Sequence, residues 1–348
     1  MRTDKNKIVV GCSSMITISQ VAKKAGVSVA TVSRVMNKSS SVRPETVLKV
    51  QKVANELGYI PNFHARNLRK NSTGTILVLL PNITNAYYVR IFAGLNEQAK
   101  EYGFNILLSN TSGRDQEKEL YSAIKRKQAD GAVLIAVSRE EKWVDTFSQE
   151  FPIVQCCEYA HDCETPHISI DNYQATYQAI QYLVNLGHKK IGMISSTNHF
   201  NSTWDRELGY RDGLRDAGLP YSDSRMSYVD DGYSYESALK AAKQILSLPR
   251  DQLDAVFCVS DEVAFALMVV AMEMNIKIPQ DLSVIGMDDT NYATILHPHI
   301  TSVAQPCSLL GCRAIDMLMK LMRGEEPEDK YLVLPHDFVE RESTISRI

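Results

Sequence analysis

No apolar run in this 348-residue chain is long enough to cross a bilayer; the stretch at 264–272 is about half of the ~20 residues a membrane helix needs. No signal peptide is legible either. The basic N-terminal segment offers only Ile8 to Val10 as an apolar stretch, against the ~7–15 residues required, so a cytosolic protein without membrane contact is expected. Cysteine is present but unarranged. Cys12, Cys156, Cys157, Cys163, Cys258, Cys307 and Cys312 are odd in number, form no C-x-x-C pair and have no histidine at zinc-site spacing, which argues for free buried thiols and no metal. No G-x-G-x-x-G or G-x-x-x-x-G-K-[ST] follows a strand-like segment, so dinucleotide and P-loop cofactors lose support. Nothing sets a nucleophile beside a base. The acidic pairs Asp230–Asp231 and Asp288–Asp289 read as solvated turns, so no catalytic residue and no cofactor is expected. With 44% hydrophobic and 23% charged residues, the composition excludes a disordered, collagenous or coiled-coil chain. The length predicts two or three globular units.

Charge is unevenly placed. Met1 to Gly74 holds 13 Lys+Arg and 3 Asp+Glu, a net +10, while the other 274 residues hold 25 and 38, a net −13. Such asymmetry points to a nucleic-acid-binding arm on an acidic body. Within the arm, Ile18, Val21, Ala22 and Ala25 recur at helical spacing behind Thr17 as N-cap, and Gly26 stops the helix because it accepts positive φ. Ser28 restarts a second helix whose apolar stripe is Val29, Val32 and Val35–Met36. Its other face carries Val29, Ala30, Thr31, Ser33, Arg34 and Asn37, which suit base edges, phosphates and thymine methyls. A third helix over 44–57 begins at Pro44 and covers the other two with Val47, Val50, Val53, Ala54 and Leu57. Helix, glycine turn and helix make a helix-turn-helix. The basic segment at 58–70 then carries one large apolar residue, Leu68, which suits a wedge between base steps in the minor groove, with Arg66, Arg69 and Lys70 on phosphates.

The string A-x-x-A-G-V-S-x-x-T-V-S-R-V-x-N, followed by L-G-Y-x-P-N-x-x-A-R-x-L, resembles the headpiece and hinge of the lactose/galactose-repressor (LacI/GalR) family of transcription regulators, without a gap from Thr17 to Leu68. The resemblance puts Val29, Ala30 and Arg34 at base-reading positions. It gives phosphate and register contacts to Thr31, Ser33 and Asn37, with Thr17 and Ser28 at the helix starts. Asn62, Ala65, Arg66 and Leu68 fall in the hinge, with Leu68 intercalating at the operator centre. The implied partner is a palindromic double-stranded DNA operator bound by a homodimer, whose two-fold axis the half-sites mirror. The chain ends without leucine heptads for a tetramerising coil. The residues before Met15 exceed what such a headpiece needs and are either a disordered basic arm or precede the true start.

Beyond Gly74 the pattern becomes α/β. Strand-length apolar runs at 76–80, 105–109, 131–136, 153–157, 168–170, 191–195, 255–259 and 283–287 alternate with helical stretches at 87–102, 116–127, 172–186, 204–217, 235–246, 262–274 and 308–323. Near-continuous apolar strands separated by helices predict parallel sheets covered on both faces. About 270 residues exceed one ordinary open sheet, so two lobes facing across a cleft are expected. The resemblance implies the two-lobe fold of type I periplasmic binding proteins. On it the divisions are an N-terminal extension 1–16, a three-helix helix-turn-helix headpiece 17–61, a hinge and linker 62–74 and a core 75–348. The N-lobe takes about 75–171 and 306–331, the C-lobe about 172–304 and 332–343, with crossings near Asp171, Gln305 and Leu334.

Open parallel sheets bind ligands outside strand carboxyl ends. Asn85, Tyr87 and Tyr88 follow the first strand, and their rings either stack on a ligand or pack inside. Glu158 ends the fourth strand, Arg206 opens a helix with a planar donor fork, Tyr233 sits in a turn, and Asp261 either accepts from ligand hydroxyls or caps the next helix. The resemblance places effector contacts at Arg206, Tyr233 and Asp261 above all. An acid, an arginine and aromatics suit a polyhydroxyl effector, a sugar first and a nucleoside second. The rival of another class is a solute-binding protein without DNA function, which leaves the +10 arm unexplained.

Overall fold

The computed structural model describes residues 16–36, 41–59, 72–111 and 115–348. Asn37, Asn62, Ala65, Arg66 and Leu68, together with Cys12 and the stretch before Ile16, lie outside the described residues. The chain divides into two compact units, 1–71 and 72–348.

The first unit packs α1 (Ile18–Ala25), α2 (Val29–Met36) and α3 (Pro44–Leu57) around Val21, Ala25, Val32, Val35 and Val50. Each boundary has a local cause. Thr17 Oγ1 accepts from Gln20 N while Gln20 Oε1 accepts from Thr17 N at 2.7 Å, a reciprocal capping box. Gly26 and Gly58 end α1 and α3 at φ 65° and 63°, where a side chain would be strained. Pro44 opens α3, where its missing N–H is no loss.

The second unit holds two six-stranded sheets. Sheet one joins β1 (Thr75–Leu80), β2 (Asn105–Asn110), β3 (Gly131–Ile135), β4 (Ile153–Cys156), β5 (His167–Ile170) and β11 (Tyr331–Leu334) in the order β11-β5-β4-β3-β1-β2, all parallel. Sheet two joins β6 (Ile191–Ser196), β7 (Met226–Val229), β8 (Ala255–Cys258), β9 (Ser283–Asp288), β10 (Thr301–Ala304) and β12 (Asp337–Val339) as β12-β10-β9-β8-β6-β7, with only the β10–β12 pair antiparallel. β1, β3, β6, β8 and β9 are buried almost throughout, as strands covered on both faces must be. The covering helices are α4 (Ala86–Glu101), α5 (Gln116–Lys125), α6 (Trp143–Ser148), α7 (Asn172–Asn185), α8 (Asn201–Asp216), α9 (Tyr235–Leu246), α10 (Asp261–Glu273), α11 (Tyr292–Ile295) and α12 (Cys307–Met322). α12 follows a strand of sheet two yet packs on α4 of sheet one. The two helices touch backbone to backbone: a Cβ on Gly311 would lie 2.3 Å from the Ile91 carbonyl oxygen.

Four strands, β7, β10, β11 and β12, escape the periodicity argument. β7, β11 and β12 are sheet edges with exposed positions such as Tyr228 and Val333, so their sequences lack the continuous apolar signature. The short α6 and α11 escape it as well. β3 and β4 each stop one residue before the expected end because Ala136 and Cys157 turn to positive φ, 63° and 74°.

Candidate DNA-reading face and effector cleft

In the first unit, α2 presents Val29, Ala30 and Arg34 to solvent, with Val29 41% exposed, while Val32 and Val35 point into the core. Thr31 and Ser33 are half-buried. Ser28 Oγ accepts from Thr31 N at 3.1 Å and lies 2.9 Å from Thr31 Oγ1, so this pair forms the N-terminal cap of α2. Thr17 likewise serves as a cap. The outer face of α2 is thus small side chains and one guanidinium, free of packing against its own core.

In the second unit the expected effector residues come from both sheets. Glu158 follows the positive-φ turn at Cys157, and its Oε2 accepts from Ser202 N at 3.1 Å across the lobes. Burial pushes its pKa up to about 7. Arg206, in the second turn of α8, is 6% exposed; its Nε donates to Asn172 Oδ1 at 3.0 Å and its Nη1 to Val259 O at 2.9 Å. Those bonds fix the guanidinium plane and leave other N–H groups of its fork. Burial works against the Arg206 charge, but Asp288, Tyr233 and Glu158 more than offset it and raise its pKa. Tyr233 sits at φ 54°, and its hydroxyl accepts from Asn198 Nδ2 at 2.9 Å. Asn85 caps α4 by accepting from Tyr87 N at 2.9 Å. Tyr88 is buried and Tyr87 half-buried, their rings tilted at 5.5 Å.

Asp261 is placed differently from the expectation. It is wholly buried, with Oδ1 accepting from Ser302 Oγ at 2.6 Å and Oδ2 from Thr290 N at 2.6 Å, so both oxygens are committed within its own lobe. Ser260, not Asp261, caps α10. A Cβ on Gly286 would lie 2.3 Å from Asp261 Oδ1, so only glycine admits this approach.

The acid beside Arg206 is Asp288, which the sequence reading assigned to a solvated turn. It is 5% exposed and sits at φ 99° at the end of β9. Burial raises its pKa to about 8, with Arg206 pulling the other way. Its Oδ1 accepts from Gln305 Nε2 at 2.7 Å, and Gln305 Oε1 accepts from Tyr87 OH at 3.0 Å, so a bonded path runs from α4 through the β10–α12 crossing to β9. Arg90 Nη1 donates to the carbonyls of Asp288, at 3.2 Å, and Asp289. Asn172, Asn198, Gln305 and Arg90 were also missed. The signal for Asp288 was available: it ends a recognised strand, where ligands of open sheets gather. The polar partners had none, because their proximity depends on the fold.

The lobes also meet at the rim. Asn201 Nδ2 donates to Tyr159 O at 2.5 Å, Arg139 N to His199 O at 2.8 Å, and the Arg139 guanidinium lies 5.1 Å from the Trp204 ring centre. No cluster of metal-ligating side chains occurs among the described residues, nor any helix long and apolar enough to cross a membrane.

A helix-turn-helix reader in one unit, and in the other a polar cleft between parallel sheets, define a DNA-binding regulator with an effector-binding domain. The model for bacterial regulatory proteins of the lacI family matches residues 17–62, and the periplasmic binding protein-like domain matches 180–344. Catabolite control protein A of Priestia megaterium is 35% identical over 94% of this chain and 99% of its own length. The HTH-type transcriptional repressor CytR of Escherichia coli K12 is 32% identical over 94% and 96%. The lac repressor dimer bound to operator and the anti-inducer ONPF superimposes with a TM-score of 0.85 at 25% identity, covering 95% of this chain and 100% of that one. The CelR–cellobiose complex gives a TM-score of 0.72 at 29% identity, covering 94% and 99%. The chain belongs to the LacI family of transcription regulators, which bind DNA and small-molecule effectors, and these relatives are regulators rather than enzymes.

Proposed function

We propose that this protein is a cytosolic homodimeric repressor whose heads, through Val29, Ala30 and Arg34, read a palindromic operator, and whose core is switched by a small polyhydroxyl effector. The observation that carries the effector reading is the buried Arg206 guanidinium held between Asn172 and Val259, with the carboxyl groups of Asp288 and Glu158 near enough to influence it. A fixed donor fork beside carboxyl acceptors suits vicinal hydroxyls, each of which donates and accepts. A sugar comes before a nucleoside because a structurally similar regulator is a cellobiose complex. Glu158, Arg206 and Asp288 are less than a tenth exposed, so the effector enters as the lobes part and is then enclosed. The lobe angle set by the ligand is transmitted to the DNA heads with a coupling of ~1–3 kcal/mol, and this coupling is reciprocal.

The test combines operator selection by the full chain with thermal shift in cellobiose, glucose and cytidine. A sugar that raises the melting temperature and changes operator affinity supports the reading; cytidine alone doing so replaces sugar by nucleoside. With about six phosphate contacts, log K falls against log salt with a slope near −5. A slope near zero on the selected operator removes the DNA role, and a dominant tetramer in sedimentation removes the dimer.

A further inference from the structure

Far from the cleft, at the amino ends of the strands whose carboxyl ends carry Asp261 and Asp288, the second lobe has a cavity of about 440 Å³. This lies within the ~300–1,000 Å³ of small-molecule sites. Its floor is Leu246, Leu253, Ile276 and Leu282, each less than a tenth exposed. Leu253 is wedged against β6, since a Cβ on Gly192 would lie 2.8 Å from its Cδ1, so the floor is rigid. Two guanidiniums stand at the rim, Arg250 and Arg347.

The charges around the cavity do not cancel equally. Asp281 Oδ2 accepts from Lys277 N at 2.8 Å and faces Arg250 Nη1 at 3.8 Å. Arg250 Nη2 also donates to Met274 O at 3.4 Å, answering a carbonyl at the negative end of α10. The acid is thus met by Arg250 and the Lys277 backbone N–H, and the helix end by Arg250. Arg347 is different. Its backbone N–H is tied to Leu186 O at 2.6 Å, which fixes the tail beside the cavity, and its Nη2 donates to the neutral Pro279 carbonyl at 3.4 Å. No carboxylate lies within 4 Å of it among the described residues. An anchored guanidinium with no carboxylate within 4 Å, beside a cavity that mixes an aliphatic floor with Asn275, Gln280 and Asp281, suits a ligand with one carboxylate and an apolar body.

We propose that this cavity is a second ligand site, independent of the cleft, that takes a medium-chain aliphatic carboxylate. The carboxylate meets the Arg347 fork with support from Arg250, and the chain lies on the leucine and isoleucine floor. Calorimetric titration of the full-length protein with octanoate tests it, with octylammonium as the charge-reversed control. Saturable 1:1 binding of octanoate, with octylammonium at least ~10-fold weaker, is expected. Arg347→Ala should weaken octanoate by ~10-fold or more, and Arg250→Ala by less. Both side chains lie on the surface, so the variants should fold, which an unchanged melting curve without ligand verifies. Absence of octanoate binding, equal binding of octylammonium, or an unchanged affinity in the Arg250→Ala/Arg347→Ala double variant would each overturn the proposal. The Leu248→Trp variant, which narrows the half-buried rim, supplies an independent arm: its affinity for octanoate should fall, and an unchanged value counts against the site.

Discussion

The two recognition surfaces of this protein differ in their exposure to water. On α2 the proposed reading residues Val29, Ala30 and Arg34 are exposed, and the helix is held from behind by an aliphatic core. In the cleft, Glu158, Arg206 and Asp288 are each less than a tenth exposed and are held by hydrogen bonds to other buried polar groups. The first surface can meet DNA as it stands. The second places its charges where desolvation dominates, so each is strongly coupled to its neighbours and to lobe closure. Substitutions on α2 should therefore change affinity and leave stability alone, while substitutions in the cleft should change both.

The largest contrast is expected for Arg206→Gln. Removing the guanidinium leaves Asn172 Oδ1 and Val259 O buried without their donor, which should destabilise the core by ~2–5 kcal/mol and abolish effector binding. Urea unfolding followed on the core would show it, and a loss below 1 kcal/mol would break the distinction. Next comes pH. Asp288 titrates near 8 in the fold instead of near 3.8, and Glu158 near 7 instead of 4.5. Protonated acids favour the fold, so this stabilisation is complete below about pH 4 and is lost as pH rises to 8. Asp288→Asn should flatten the decline of the urea midpoint between pH 5 and 8; an equally steep decline would contradict the burial argument. Arg34→Ala on the exposed helix should weaken the selected operator by ~1–3 kcal/mol with an unchanged melting temperature, measured by fluorescence anisotropy and calorimetry. The smallest effect belongs to Arg139→Ala at the rim. Losing the contact with Trp204, itself 62% exposed, should remove about 0.5–1 kcal/mol from the closed arrangement and raise effector release rates slightly in stopped flow.

The same contrast explains what could be read from the residues. Helix boundaries in the first unit follow neighbours three or four positions away, as with Thr17 and Gln20 or Pro44, and are legible. Central strands declare themselves by unbroken apolar runs. Edge strands such as β7 do not, because they are short and broken by polar or exposed positions such as Ser227 and Tyr228. The cleft draws on segments more than 200 residues apart, Tyr87 with Gln305 for example, and no spacing rule reaches that far. Asp261 and Asp288 show the limit well. Both are acidic and both lie at the carboxyl side of a central strand, Asp288 as the last residue of β9 and Asp261 at the start of the helix after β8, yet the hydroxyls of Thr290 and Ser302 hold Asp261 inward, whereas Asp288 sits at positive φ where it influences Arg206.

The crossing of α12 and β11 back to sheet one, before β12 returns to sheet two, bears on biosynthesis. The penultimate strand supplies an edge of one sheet and the last strand an edge of the other. A chain emerging from the ribosome can complete neither sheet until β11 and β12 are free of the exit tunnel, so the two lobes mature together, whereas the helix-turn-helix needs only its own three helices and can fold well before them.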